Sequence, residues 1–197
     1  MNSAEMHDAR AAQGMDEAMR AVWDQDDWDA GIDYCMERVG PVDGLNVIDF
    51  GCGVGRLMVP MLESGAADVI GSDPSEAMRL LAAERLRGAG VSDAWWLVER
   101  TDGWVEDGWA DLVVSVCVLQ HLPAEEQDAS LAEMMRCVRP GGRVVAQVVH
   151  GADVGEFSNP VDPWQVCGSL AVASASLHFD PTYPTWAWLT ATKADAR

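Results

Sequence analysis

Asp49, Gly51, Gly53 and Gly55 stand at alternate positions in the run Val47-Ile48-Asp49-Phe50-Gly51-Cys52-Gly53-Val54-Gly55-Arg56-Leu57, and Asp73 follows 22 positions after Gly51. Glycine has no Cβ, so a loop built from it turns tightly and lets a large polar ligand lie against main chain. A helix that starts just after such a loop offers unpaired amides. An acid closing the next strand can accept both hydroxyls of a ribose. Each signal also has an ordinary structural explanation. The glycines suit a tight strand-to-helix turn with no ligand, and Asp73 before Pro74 suits a helix N-cap. Loop, spacing and acid together point to an adenosine-bearing ligand.

Two details of the loop separate ligand classes. A nicotinamide site wants GxGxxG, whose last glycine lets helix and sheet approach. Arg56 holds that sixth place. Asp49, two residues before the first glycine, favours a cationic ligand end and repels a pyrophosphate.

His121 and His150 are the candidate general bases, because imidazole titrates near neutrality and each follows a strand-like run. His121 also suits a structural role in its Gln120-His121-Leu122-Pro123 turn, and His178 falls in a C-terminal hairpin. Trp23, Trp28 and Tyr34 suit either a lid over the ligand or plain core. Cys35, Cys52, Cys117, Cys137 and Cys167 are scattered with no CxxC pair, a pattern of reduced, mostly buried thiols. Zinc-ligand spacing is absent, so no metal is expected.

The elements that must position these groups follow from periodicity and punctuation. Residues 1–44 are helical and charged, with helices over Glu5 to Trp23 and Trp28 to Val39 around an acidic joint. From Leu45 strands alternate with helices. Strands are expected at Leu45–Phe50, Ala67–Ser72, Ala94–Glu99, Asp111–Val118 and Arg143–Val149. Helices are expected at Arg56–Ser64, where Pro60 sits awkwardly, at Pro74–Arg87, ended by Gly88 and Gly90, and at Ala124–Val138, stopped by Arg139-Pro140-Gly141-Gly142. Such alternation implies right-handed crossovers and a parallel sheet covered on both faces. Ser174–Asp180, a turn through Pro184, and Thr185–Thr192 read as a hairpin, so the last strand runs antiparallel.

The bulk numbers narrow the classes. A chain of 197 residues, 49% hydrophobic, fits one domain with a substantial core. Thirty-two acids against thirteen Lys and Arg give a formal net charge of -19, a field that repels phosphate backbones. The N-terminus has no apolar signal core, and no run is long and apolar enough for a membrane span, so a cytoplasmic location is expected.

Taken together, the sequence resembles the class I S-adenosylmethionine-dependent methyltransferases of the small-molecule type. VIDFGCGVGRL resembles that family's glycine motif and GSDPSEAM its ribose-binding segment. WADLVVSVCVLQHLP resembles the fourth-strand motif, LAEMMRCVRPGGRVVAQV the helix, turn and fifth strand after it, and FDPTYPTWAWLTATK the closing hairpin. The resemblance implies an α/β fold: a Rossmann-like, seven-stranded, mostly parallel sheet with helices on both faces and an antiparallel C-terminal hairpin strand. Residues 45–197 would form the S-adenosylmethionine-binding domain, and 1–44 a helical segment on the lid or substrate side. Gly51, Cys52, Gly53 and Gly55 would line the methionine and ribose of the cofactor, and Asp49 would hold its amino group. Asp73 would grip the ribose hydroxyls. Pro74, Ser75 and Met78 would border the adenine, Asp102 would meet the adenine amino group, and Cys117 to His121 would lie beneath the sulfonium.

The expected reaction is methyl transfer from S-adenosylmethionine to a small-molecule acceptor. Alternatives are a catalytically silent cofactor-binding or scaffold subunit and a non-methyl transfer, such as of an aminopropyl group; a nicotinamide enzyme is more distant. Asn159-Pro160-Val161-Asp162 is out of place for the motif of amino-methylating DNA enzymes, and Ser115-Val116-Cys117-Val118 lacks its amide and prolines. With the acidic charge, this argues against nucleic acid as acceptor.

Overall fold

The computed structural model describes residues 25–150, 159, 161, 172–181 and 184–195, with side chains from residue 31 onward. The helix expected over Glu5 to Trp23, the side chain of Trp28, and Cys167 lie outside the described residues.

The chain begins with helix α1 (Gln25–Val39) and strand β1 (Asn46–Phe50), then alternates α2 (Met58–Glu63), β2 (Asp68–Ser72), α3 (Glu76–Ala89), β3 (Trp95–Val98) and β4 (Ala110–Ser115). A 3-10 turn (Leu119–His121) leads into α4 (Ala124–Cys137) and the long strand β5 (Val138–Val149), and β6 (Val172–Phe179) and β7 (Trp186–Lys193) close the fold. One seven-stranded sheet results, in the order β3-β2-β1-β4-β5-β7-β6. Pairing is parallel from β3 through β5, whereas β7 runs antiparallel to both β5 and β6. The strand order reverses between β1 and β4, and ligands of such sheets bind beyond the carboxyl ends of the strands at that switch.

Alternation along the strands divides the core between the two faces. Val47, Val114, Val145 and Trp188 pack with Cys35 and Val39 of α1 and Met58 and Met61 of α2. Ile48, Val113, Val144 and Leu189 pack with Leu131 and Met134 of α4 on the other side. Helix α1 therefore shares the core of the residues that follow it.

The structure corrects several expected boundaries. Helix α2 starts at Met58 with Leu57 as its N-cap, so Pro60 lies in the first turn, where an N–H has no intrahelical partner in any case. Ser75, not Asp73, caps α3, its Oγ accepting the N–H of Met78 at 3.2 Å, and Gly90 alone, at φ 67°, closes it. Strand β4 ends at Ser115 rather than Val118, because Cys117 adopts φ 60° and donates its N–H to Gln147 Oε1 at 2.9 Å instead of to a strand. The segment Arg139-Pro140-Gly141-Gly142 stops α4 as expected, yet the chain is already in strand β5. Its pairing slips between Ala110↔Val138 and Leu112↔Arg143, which accommodates the extra residues as an irregularity.

Candidate active site

The loop after β1 shows three glycines doing three different jobs. Gly51 (φ 79°) donates its N–H to Ser72 of β2 at 2.8 Å, and a Cβ there would run into the side chain of Val118. At Gly55 (φ 72°) a Cβ would come within 3.1 Å of the Ala82 Cβ of α3. These two positions are bare because the protein itself fills the space. A Cβ at Gly53 (φ 51°) would meet nothing within 4 Å. Of the three, Gly53 alone faces open space, which leaves its main chain uncovered.

Asp73 ties this point to the end of β2. Its Oδ2 accepts the Gly53 N–H at 2.9 Å, and its Oδ1 accepts the Ser75 N–H at 2.9 Å. Its side chain is buried, as is that of Asp49 at the end of β1. Burial pushes the Asp49 carboxyl up to about 7; the guanidinium of Arg56 opposes that rise and the charge of Asp73 adds to it. A buried carboxyl held so far above its ordinary range needs a cation to ionise comfortably.

The remaining expected residues fall as follows. Cys52 is buried, its Sγ packed against β2 where a Cβ on Gly71 would come within 2.9 Å of it, and burial raises its thiol pKa far above the usual range. Met78 is buried behind the Ser75 cap, and Pro74 is exposed. In the loop after β3, Thr101 turns inward to Glu133 at 2.5 Å, whereas Asp102 points to solvent and pairs with Arg100 at 2.7 Å. Cys117 sits where β4 breaks. His121 ends the 3-10 turn, its N–H on Val118 O at 2.9 Å. His150 directly follows β5, its ring edge-on to Phe179 at 5.0 Å and its Nε2 buried without a hydrogen-bond partner. Tyr34 of α1 lies edge-on to Trp188 of β7 at 6.0 Å and accepts its Nε1–H at 3.2 Å.

Sequence reasoning missed Gln147 and Ser115, and included Gln120 only within the Cys117 to His121 segment. All three have a buried polar atom with no partner, and all three stand at or just past the carboxyl ends of β4 and β5. The signal was present: Gln147 interrupts the apolar run Val144-Val145-Ala146-Gln147-Val148-Val149, where an amide must either bond or cost stability. Among the described residues no group of three or more His, Cys, Asp or Glu is arranged to hold a metal ion, and no helix is long and apolar enough to cross a membrane.

Residues 47–142 match the family described as a methyltransferase domain. An uncharacterized methyltransferase of Geobacillus kaustophilus is 35% identical over 143 residues, 72% of this chain and 61% of that protein. The chain belongs to the class I S-adenosylmethionine-dependent methyltransferases. The chain is also 32% identical to the ubiquinone biosynthesis O-methyltransferase of Rhizobium johnstonii, over 56% of the chain and 43% of that protein. It spans less than two thirds of the length of either curated relative. Its fold matches magnesium protoporphyrin IX methyltransferase from Synechocystis PCC 6803 with bound SAH, at a TM-score of 0.71 and 20% identity, covering 98% of this chain and 100% of that one. The cofactor of the family is S-adenosylmethionine. The open space at Gly53, the buried Asp49 and the two-armed Asp73 fit a cationic nucleoside of that kind.

Proposed function

We propose that this methyltransferase moves a methyl group from S-adenosylmethionine to a hydroxyl oxygen of a small molecule. The observation that carries the reading is the uncovered main chain at Gly53, bonded to the Asp73 carboxylate, whose charge in turn acts on the buried Asp49 carboxyl. Asp49 would hold the ammonium of the methionine portion, a cation that would draw its buried carboxyl to the ionised form. Asp73 would accept the ribose hydroxyls while its main-chain bonds hold it still. Gly53 gives the ligand its contact with backbone, and Pro74 and Met78 border the adenine. Asp102 turns outward to Arg100, so the adenine amino group is left to the loop backbone beside Thr101. Helix α1 covers the site on the side of Cys35 and Tyr34.

S-adenosylmethionine supplies an electrophilic methyl on a positively charged sulfur. The protein has little covalent chemistry to add. Holding the acceptor oxygen in line can contribute about 7–11 kcal/mol. Taking the hydroxyl proton contributes about 10²–10⁴-fold. His150 is the better base of the two histidines, because its Nε2 is buried just past the carboxyl end of β5 with no hydrogen-bond partner. With S-adenosylmethionine as methyl donor and its sulfur as leaving group, His150 would take the proton that the acceptor hydroxyl gives up. Support for oxygen as the nucleophile comes from the name of the Rhizobium relative, and support for a small acceptor from the chain's net charge of -19.

Calorimetry of the full chain against S-adenosylmethionine, its demethylated product SAH and NAD tests the reading, followed by transfer of labelled methyl to a panel of phenols and hydroxy acids. Binding of the first two and label in a hydroxyl ether are expected. Binding of NAD alone would overturn the proposal.

A further inference from the structure

Gln147 is fully buried, near the carboxyl end of the interior strand β5. It lies two residues beyond Val145, so it shares the sheet face that carries α1, and Trp188 stands directly opposite it on β7. That Trp188 donates to Tyr34 of α1 at 3.2 Å. On the other side the Gln147 Oε1 accepts the Cys117 N–H at 2.9 Å. This bond fixes the amide's orientation, since a flipped carboxamide would set NH₂ against N–H. The Nε2 donors are therefore held between the break in β4 and the α1 face, and they are buried with no hydrogen-bond partner.

A buried amide donor left unpaired is a standing cost, and native folds rarely keep one without use. The same edge carries further unpartnered atoms in Ser115, Gln120 and His150. Unpaired polar atoms thus mark the carboxyl ends of β4 and β5 on both faces of the sheet, and strand alternation places Gln147 on the α1 face and Ser115 on the other. We propose that Gln147 holds the acceptor: its Nε2 donates a hydrogen bond to an acceptor oxygen, while its Oε1 keeps the Cys117 turn in place. This rests on the hydroxyl-acceptor reading above. A site built to donate this bond would select acceptors that carry an oxygen at the matching position, because an analogue without one leaves the amide unpaired.

Two variants separate holding the acceptor from holding the turn. Gln147→Glu keeps an oxygen for the Cys117 N–H but, at alkaline pH, has no proton to donate. Gln147→Leu loses both functions. The full-length proteins are titrated with SAH, and then, saturated with SAH, with catechol, salicylate and lactate. The expected result is SAH affinity within twofold of wild type in Gln147→Glu, with at least tenfold weaker binding of the best of the three probes. Equal probe affinity in wild type and Gln147→Glu overturns the proposal and leaves Gln147 as a fastener for the turn. So does a parallel loss of SAH affinity in Gln147→Glu, or wild type that takes SAH but none of the three probes. Wild type that does not bind SAH at all counts instead against the methyl-transfer reading. Gln147→Leu supplies the size of the structural effect, read from its thermal midpoint and SAH affinity.

Discussion

Gly53 donates its main-chain N–H to Asp73 Oδ2 at 2.9 Å, so one bond ties the loop after β1 to the end of β2. The other carboxylate oxygen takes the Ser75 N–H at the entry to α3. Two strand ends and a helix start are fastened through a single side chain. The helix cap belongs to Ser75, which leaves Asp73 to organise the cleft.

Replacing Asp73 by Ala removes a charged acceptor, and SAH affinity should fall by about 1–3 kcal/mol. Asp73→Asn keeps one oxygen and should lose less. Calorimetry gives both values. Undiminished affinity in the alanine variant would reduce Asp73 to a turn residue.

The glycines should separate binding from folding. Gly53→Ala meets no neighbour, so its stability cost is that of a positive φ, about 1–2 kcal/mol, while SAH binding falls more than tenfold. Gly51→Ala pays for φ and also overlaps Val118, adding about 1–3 kcal/mol of overpacking. Thermal midpoints and SAH titrations of the two variants should rank in opposite orders. Matching orders would mean that the open space at Gly53 is not where the ligand lies.

Asp49 sets a pH dependence. Its carboxyl is raised by burial to about 7, so the stability linked to its protonated form is present at acid pH and is lost as pH rises through about 7. Binding of an ammonium has the opposite slope, because the ionised carboxyl is the one that attracts it. SAH affinity should therefore tighten across neutrality, while the ligand-free protein loses some thermal stability. Asp49→Asn should flatten both curves and weaken binding above neutrality. A flat affinity curve in the wild type would place Asp49 out of reach of the ligand.

Glu133 carries the opposite linkage. The Arg136 guanidinium, with help from Thr101, holds its carboxyl down at about 2. The stability this adds is present above about 4.5 and is lost as pH falls toward 2. Glu133→Gln should cost about 1 kcal/mol at neutral pH, screened because the pair is partly exposed, and should reduce the acid sensitivity of the thermal midpoint. An unchanged acid limb would argue that the Glu133–Arg136 bond contributes nothing to folding.

The two histidines differ in a way that turnover can read. His150→Gln should lower kcat by about 10²–10⁴-fold with cofactor affinity intact, and His121→Gln should change kcat little. Reversal of that order would move the base to the 3-10 turn.

Much of this architecture was legible in the residues. The apolar run ending at Asp49, the one ending at Asp73, and the proline-turned hairpin before Trp186 announce strand, helix and antiparallel closure, because side-chain period and turn residues act over a few positions. The candidate cofactor loop was legible for the same reason. Its division of labour was not. Gly51, Gly53 and Gly55 are alike in sequence, and only Val118 and Ala82, packed from distant elements, show that two of them are bare for the protein's own sake.

The end of β4 makes the same point. Val116-Cys117-Val118 favours strand by local propensity, and the expected strand ran through it. The break comes from Gln147, thirty residues away, which takes the Cys117 N–H. Sequence alone determined the order and kind of elements, and the two acids at neighbouring strand tips, because hydrophobic period and glycine conformation are local properties. Tertiary structure alone decided which backbone stays uncovered, which acid caps nothing, and which amide is left without a partner, because each depends on what a long-range contact fills or leaves open.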